Sequence, residues 1–229
     1  MSTERNDARC LGLIGGLGPG ATVHYYRALI AAIEKRGRVP RLLIAHADVN
    51  RVRALAEDKK LEELARYLCG LIESTAAGGA EITAIVAVTP HICAAELTRL
   101  SPLPLIDMVS EVAEAIRLRG LKRVALFGTR STVESRMFGR LGVDVVMPKP
   151  DEVDFIHNTY LDVLYDRSTP AQIDRLREQA RTLIGRDGAE SVLLAGTDLS
   201  MVFDEASAGF PTIDCAHVHI DAIVRRLLG

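Results

Sequence analysis

Cys10-Leu11-Gly12-Leu13-Ile14-Gly15-Gly16-Leu17-Gly18-Pro19-Gly20 is an apolar run of strand length that opens into a glycine-rich turn, and a helix-like pattern follows over residues 22–35. The same arrangement returns at residues 123–132 (RVALFGTRST), roughly 113 residues later. A second pair keeps nearly the same spacing. Residues 85–91 (IVAVTPH) and 193–199 (LLAGTDL) each read as an apolar strand ending in a Thr-bearing turn, roughly 109 residues apart. A strand–turn–helix unit that occurs twice predicts two similar α/β lobes rather than one continuous doubly wound sheet. The expected division is 10–104 plus 211–229 for the first lobe and 105–210 for the second. Strand-end turns from both lobes would then surround an interlobe cleft, and ligands of α/β proteins bind outside the carboxyl ends of parallel strands.

The rest of the chain fits an α/β fold with parallel-rich sheets. Short apolar runs at 11–15, 41–45, 82–88, 105–106, 124–127, 143–146, 191–195 and 212–213 predict strands, several of them continuous enough to be buried on both faces. Between them, amphipathic patterns at 22–35, 61–77, 108–118, 133–141, 154–165, 170–186 and 218–228 predict helices. Pro170 after Thr169 is a cap followed by a first-turn proline. With 229 residues, 48% hydrophobic and 25% charged, the chain can bury a full core without metal or disulfide help. A net charge of −2 and the lack of any long Lys or Arg run disfavour nucleic-acid and membrane surfaces as partners. Cys10, Cys69, Cys93 and Cys215 are scattered, with neither CxxC nor metal-ligand spacing, so no metal is expected. With no signal peptide or transmembrane stretch, the expected compartment is the cytoplasm. Residues 1–8 (MSTERNDA) are polar and expected to fray.

Several motifs bear chemistry. Gly16-Leu17-Gly18-Pro19-Gly20-Ala21 fits GxGxxA, a dinucleotide fingerprint. Against that, Pro19 removes an N–H from the loop, and Asp48 lies about 30 residues on where the fingerprint places its acid at about 20. A glycine turn without ligand, and a small-carboxylate site built on N–H groups around Gly18, are the other readings. His91 follows Thr89-Pro90 at a strand end, and Thr197-Asp198 holds the matching place in the second half. His217 and His219 follow a third strand end. Thr, His and Asp groups meeting in one cleft would be suitable for acid–base work, although each also serves as a strand-end cap. Arg51 and Arg53, just after Asp48, are either solvated surface residues or a guanidinium fork for a substrate carboxylate. HxH alone is weak as a metal motif.

Taken together these residues resemble the cofactor-independent (PLP-independent) aspartate/glutamate racemase superfamily over roughly residues 10–228. Residues 12–19 (GLIGGLGP) are similar to its opening strand and turn, followed by Tyr25-Tyr26. Residues 123–130 are similar to the strand and GT turn that open its second lobe. Gly196-Thr197-Asp198 stands where the family has Cys-Thr-Glu, and Asp214-Cys215-Ala216-His217-Val218-His219 resembles its closing strand and His. The resemblance implies an amino dicarboxylate or related acid bound between two lobes, with no cofactor. It also implies a pair of cysteines, one per lobe, on opposite faces of the Cα, since inversion needs a base on one face and an acid on the other.

This chain departs from that pattern at the reacting positions. The family's Cys-Asn-Thr-x-His run reads Ala87-Val88-Thr89-Pro90-His91, and the second cysteine position is Gly196. A family Lys falls at Phe155. Neither a methyl group nor a hydrogen carries a proton, so two-cysteine racemisation is excluded. Cys93 and Cys215 are expected to be small buried residues rather than substitutes. The resemblance then implies His91, Asp198 and His219 as candidate catalytic groups, with Gly18, Asp48, Arg51, Arg53, Thr89 and Thr197 as candidate ligand-binding residues. The expected function is to act on or bind a small carboxylate or amino acid, as a non-standard isomerase or a lyase/decarboxylase. The alternative is a carboxylate-binding protein without turnover. A second copy of the chain, in a homodimer, is the expected protein partner.

Overall fold

The computed structural model describes residues 8–229, the side chain of Arg136 aside. The chain divides into two compact units. The described part of the first comprises residues 8–86, Cys93–Asp107 and His219–Gly229; the second comprises Ala87–Ile92 and Met108–Val218.

The first unit carries β1 (Leu11–Gly15), α1 (Pro19–Glu34), β2 (Leu42–His46), α2 (Val49–Glu57), α3 (Leu61–Ala77), β3 (Ile82–Ile85) and α4 (Ala94–Leu100). Its sheet has the order β2-β1-β3, and both pairings are parallel, with Leu13 opposite Ile44 and Ala84. Every residue of β1 and β3 is buried, as their unbroken apolar runs require of parallel strands covered on both faces. Strand β2 lies at the edge and leaves Ile44 exposed. Helix α3 buries Leu64, Ala65, Leu68, Cys69, Ile72 and Thr75, which recur at helical spacing along one stripe.

The second unit carries α5 (Met108–Leu118), β4 (Arg123–Gly128), α6 (Arg130–Glu134), β5 (Asp144–Val146), α7 (Pro150–Leu164), α8 (Pro170–Asp187), β6 (Ser191–Ala195) and β7 (Thr212–Asp214). Helix α9 (Cys215–Leu228) begins there and ends in the first unit. The sheet order is β5-β4-β6-β7, again all parallel. The order β2-β1-β3 is thus repeated as β5-β4-β6. This shared topology is the structural basis of the repeat read from the two glycine-bearing turns. An aromatic core packs against this sheet, in which Phe203 and Phe210 meet edge to face at 5.4 Å between centroids.

Several boundaries differ from expectation. Strand β7 hydrogen-bonds β6, so residues 212–218 belong with the second unit and the chain returns to the first at His219, not at 211. Residues 105–106 make only an isolated bridge, Leu105 with Thr83, instead of a strand. The helix expected over 133–141 is broken: Ser135 is extended (φ −70°, ψ 146°), and Arg136–Leu141 continues as a 3-10 turn. Of the tail expected to fray, residues 1–7 lie outside the described residues; Ala8 is buried and its N–H donates to Val39 O. Among the described residues no helix is long and apolar enough to cross a membrane.

Candidate functional site

In the first unit, the carboxyl end of β1 turns at Gly16, whose φ of +82° is open to glycine. A Cβ there would also stand 2.7 Å from Ala47 O and from the His46 ring. Thr22 closes the turn, accepting from Gly16 N and donating to Gly18 O, both at 3.0 Å. Gly18 precedes α1 in an extended conformation, and Pro19 begins the helix. The glycine run is therefore a compact turn laced by a threonine side chain.

At the end of β2, Asp48 caps α2, its carboxylate accepting from Asn50 N at 2.9 Å and Arg51 N at 3.2 Å. Its own N–H donates to Tyr67 Oη at 2.7 Å. The Arg51 guanidinium lies 4.3 Å from the centre of the Tyr67 ring. Arg53 is exposed and bonds Asn50 Oδ1 within the same helix. The sequence reading assigned no element to this segment and missed α2, although Asp48 ahead of Val49, Val52 and Ala56 at helical spacing is a helix-start signal.

His219 belongs to the first unit and is 0% exposed. Its Nε2 is 3.0 Å from Ile106 O and its Nδ1 3.2 Å from Tyr25 Oη. A carbonyl only accepts, so Nε2 carries a proton and donates to Ile106 O. Both nitrogens are thereby engaged in holding α9 to α1 and to the chain at Ile106.

In the second unit, the carboxyl edge of the sheet gathers the remaining candidates. Ala87 and Thr89 lead into the 3-10 turn Thr89–Cys93, and His91 within it is 2% exposed. His91 Nδ1 donates to Ala87 O at 2.9 Å, since a carbonyl only accepts. Thr89 Oγ1 lies 3.1 Å from Thr132 Oγ1, which in turn accepts from Thr129 Oγ1 at 2.9 Å. Thr129 caps α6 through Thr132 N. Thr129 and Thr132 were not singled out in advance as site residues, yet a threonine directly after a strand, as Thr129 is, is an N-cap signal. Gly128 is in register with Ala195, so the turns beginning at Thr129 and Gly196 leave neighbouring strands at the same level. Thr89, Thr129, Thr132 and Gly196–Asp198 thus share one sheet edge.

Thr197 and Asp198 are 2% and 1% exposed, in the 3-10 turn Thr197–Met201. Asp198 Oδ2 accepts from Tyr160 Oη at 3.0 Å. Burial, and then the charge of Asp198, push the Tyr160 hydroxyl well above its ordinary value, so it stays protonated and donates. Tyr160 also escaped sequence reasoning; an aromatic on the buried stripe of α7 reads as core. The Arg175 guanidinium lies 4.1 Å from the centre of the Phe155 ring.

All four cysteines are buried. Burial pushes the Cys93 thiol up to about 12 and raises Cys215 further still, so neither is a thiolate near neutrality. No group of His, Cys, Asp or Glu among the described residues is placed to hold a metal ion. An open groove of about 880 Å³, lined by Glu114, Arg117, Lys122, Arg140 and Asp144 among others, lies at the opposite, amino-terminal edge of β4 and β5. It holds none of the candidate residues.

Comparison with known proteins is consistent with this arrangement. The structure resembles a candidate Asp/Glu racemase from Yersinia pestis (TM-score 0.84, 22% identity, covering 96% of this chain and 100% of that one). It also resembles an aspartate racemase homologue from Pyrococcus horikoshii OT3 (TM-score 0.79, 23% identity, 95% and 98% covered) and the aspartate racemase of Picrophilus torridus (TM-score 0.75, 21% identity, 95% and 93% covered). At these identities the likeness establishes the shared fold. The family model for Asp/Glu/Hydantoin racemases matches residues 14–223, nearly the whole chain, and the protein belongs to that family.

Proposed function

We propose that this protein acts on a small carboxylate or amino acid by one-sided proton chemistry, as a non-standard isomerase or a lyase/decarboxylase, and not by two-thiol racemisation. The observation that carries this reading is the turn beginning at Ala87. Residue 87 carries a methyl group and no thiol, while His91 stands four residues on with its Nδ1 donating to Ala87 O. In this reading Thr89 and Thr197 donate hydrogen bonds to the ligand carboxylate and His91 moves the proton. An imidazole suits that role because one ring nitrogen can take a proton and give it back. Asp48 and His219 hold structure in place.

The test has two stages. Each enantiomer of aspartate and glutamate is incubated in D2O and the Cα–H signal followed by NMR; no loss above background is expected. Exchange on the order of 1 s⁻¹, an ordinary enzyme rate, would show that other groups invert the centre. A panel of small carboxylates is then screened for binding by thermal shift and for turnover. With a ligand in hand, His91→Asn is expected to cost roughly two to four orders of magnitude in rate with affinity within a few fold. The 2% exposure of His91 favours a second reading, binding without turnover. Loss of affinity in His91→Asn, with no turnover to lose, decides for it.

A further inference from the structure

Gly196 has φ −159° and ψ 117°, an extended conformation that any residue adopts, so its backbone gives no reason for glycine. The reason lies in a neighbour. A Cβ at 196 would stand 2.3 Å from Tyr160 Cε2, 2.9 Å from Cδ2 and 3.0 Å from Cζ. These are atoms of a ring packed in the core of the second unit, not the free end of a flexible chain. Tyr160 is 7% exposed, and its hydroxyl is tied to Asp198 Oδ2, two residues beyond Gly196. The ring is held at both ends, by the core at one side and by a buried carboxylate at the other.

We propose that Tyr160 is a specificity-determining residue that fills the place of the second thiol and excludes any side chain at residue 196, with Asp198 as the positioning residue that tethers it. On that side of the site the ligand meets Gly196 backed by an aromatic ring edge, which neither takes nor gives a proton. The absence of a thiol at 196 is then a packed feature of this chain and not a simple deletion. Restoring a side chain at 196 requires a smaller residue at 160. The part of this proposal that concerns ligand choice rests on the carboxylate reading above; the packing exclusion does not.

The experiment is a stability cycle with a binding panel. Gly196→Ala is expected to lower Tm by roughly 2–12 °C in the otherwise unchanged protein, from the cost of overpacking in a chain of this size. In a Tyr160→Leu background the same substitution is expected to shift Tm by less than about a third as much. Tyr160→Phe keeps the ring and frees it from Asp198, so an intermediate shift is expected; it also serves if Tyr160→Leu folds poorly. Equal shifts in all backgrounds, or none in the unchanged protein, overturn the exclusion. Carboxylates graded from acetate to glutarate, with their amino derivatives, are then compared by thermal shift. Tyr160→Leu is expected to move the preferred ligand to a larger one, a change that loss of stability alone does not produce. An unchanged order of preference overturns the role in ligand choice. If no carboxylate binds any variant, the carboxylate reading falls and ligand choice with it, while the cycle still decides the exclusion.

Discussion

Glu152 joins two helices through one carboxylate. Its Oε2 accepts from Lys149 N at 2.7 Å at the start of α7, and the Arg186 guanidinium reaches both oxygens from the end of α8, at 2.6 and 3.0 Å. The Arg186 hydrogen bonds, aided by that backbone N–H, bring its pKa down to about 2. An unfolded glutamate titrates near ~4.3. With the folded value depressed, the stabilisation is fully present above ~4.3 and is lost as pH falls through about 2. Glu152→Gln is therefore expected to lower the urea midpoint by a constant amount between about pH 7 and 5, and by progressively less below about pH 4. A deficit that grows on acidification would overturn the ion-pair account. Such pairings are not legible in a sequence, because Glu152 and Arg186 are 34 residues apart and meet only once two helices pack. That Ala87 and Gly196 carry no thiol is read directly from the sequence. The contacts of His219 and Asp198 were not legible, because a strand-end His or Asp reads alike whether it faces a ligand, Tyr25 or Tyr160.

Elements were read best where the signal is local. Helix α3 was expected over 61–77 and is found there, with its apolar stripe at regular helical spacing. Helix α8, expected over 170–186, begins where Thr169 and Pro170 place it and ends at Asp187 before Gly188, in the left-handed region at φ 71°. Failures came where tertiary contacts override local pattern. Residues 133–141 look continuously helical, but Ser135 breaks the run. The 3-10 turn that follows buries Met137 and Phe138. The cap of α8 offers a local test. Thr169 Oγ1 accepts from Gln172 N at 3.3 Å, while Gln172 Oε1 accepts from Thr169 N at 2.8 Å. Thr169→Ala is expected to cost about 1 kcal/mol, or roughly 2–4 °C in Tm for a chain of this length. Because Leu176, Ala180 and Leu183 anchor the helix further along, faster amide exchange is expected in its first turn only. Loss of protection along all of α8 would show the cap to be essential to the whole helix.

At the scale of the molecule the repeat extends beyond the two glycine-bearing turns. Pro104-Leu105-Ile106-Asp107 and Pro211-Thr212-Ile213-Asp214 occupy equivalent places in the two sheets. Thr83 N donates to Pro104 O and Val192 N to Pro211 O, each at 2.9 Å, so one segment runs beside β3 and the other beside β6. After each segment the chain changes unit: α5 belongs to the second, and α9 from His219 onward belongs to the first. Each unit is therefore built from discontinuous segments; the expected division already returned the end of the chain to the first unit but did not place residues 87–92 in the second. The exchange makes residues 219–229 a structural part of the first unit. Ile220, Ile223, Val224 and Leu227 are at most 5% exposed, His219 bonds Tyr25 and Ile106, and Arg9 N donates to Leu227 O. At about 1.5–3 kcal/mol for each large apolar side chain, those four alone amount to roughly 6–12 kcal/mol. That is comparable to the whole stability of a typical domain, about 5–15 kcal/mol. A chain ending at Val218 is therefore expected to lose amide protection in β1 and β3 by several orders of magnitude while β4 and β6 keep most of theirs, read by hydrogen exchange. Equal loss in both sheets would mean that the two units unfold as one, and that the division into units has no energetic meaning.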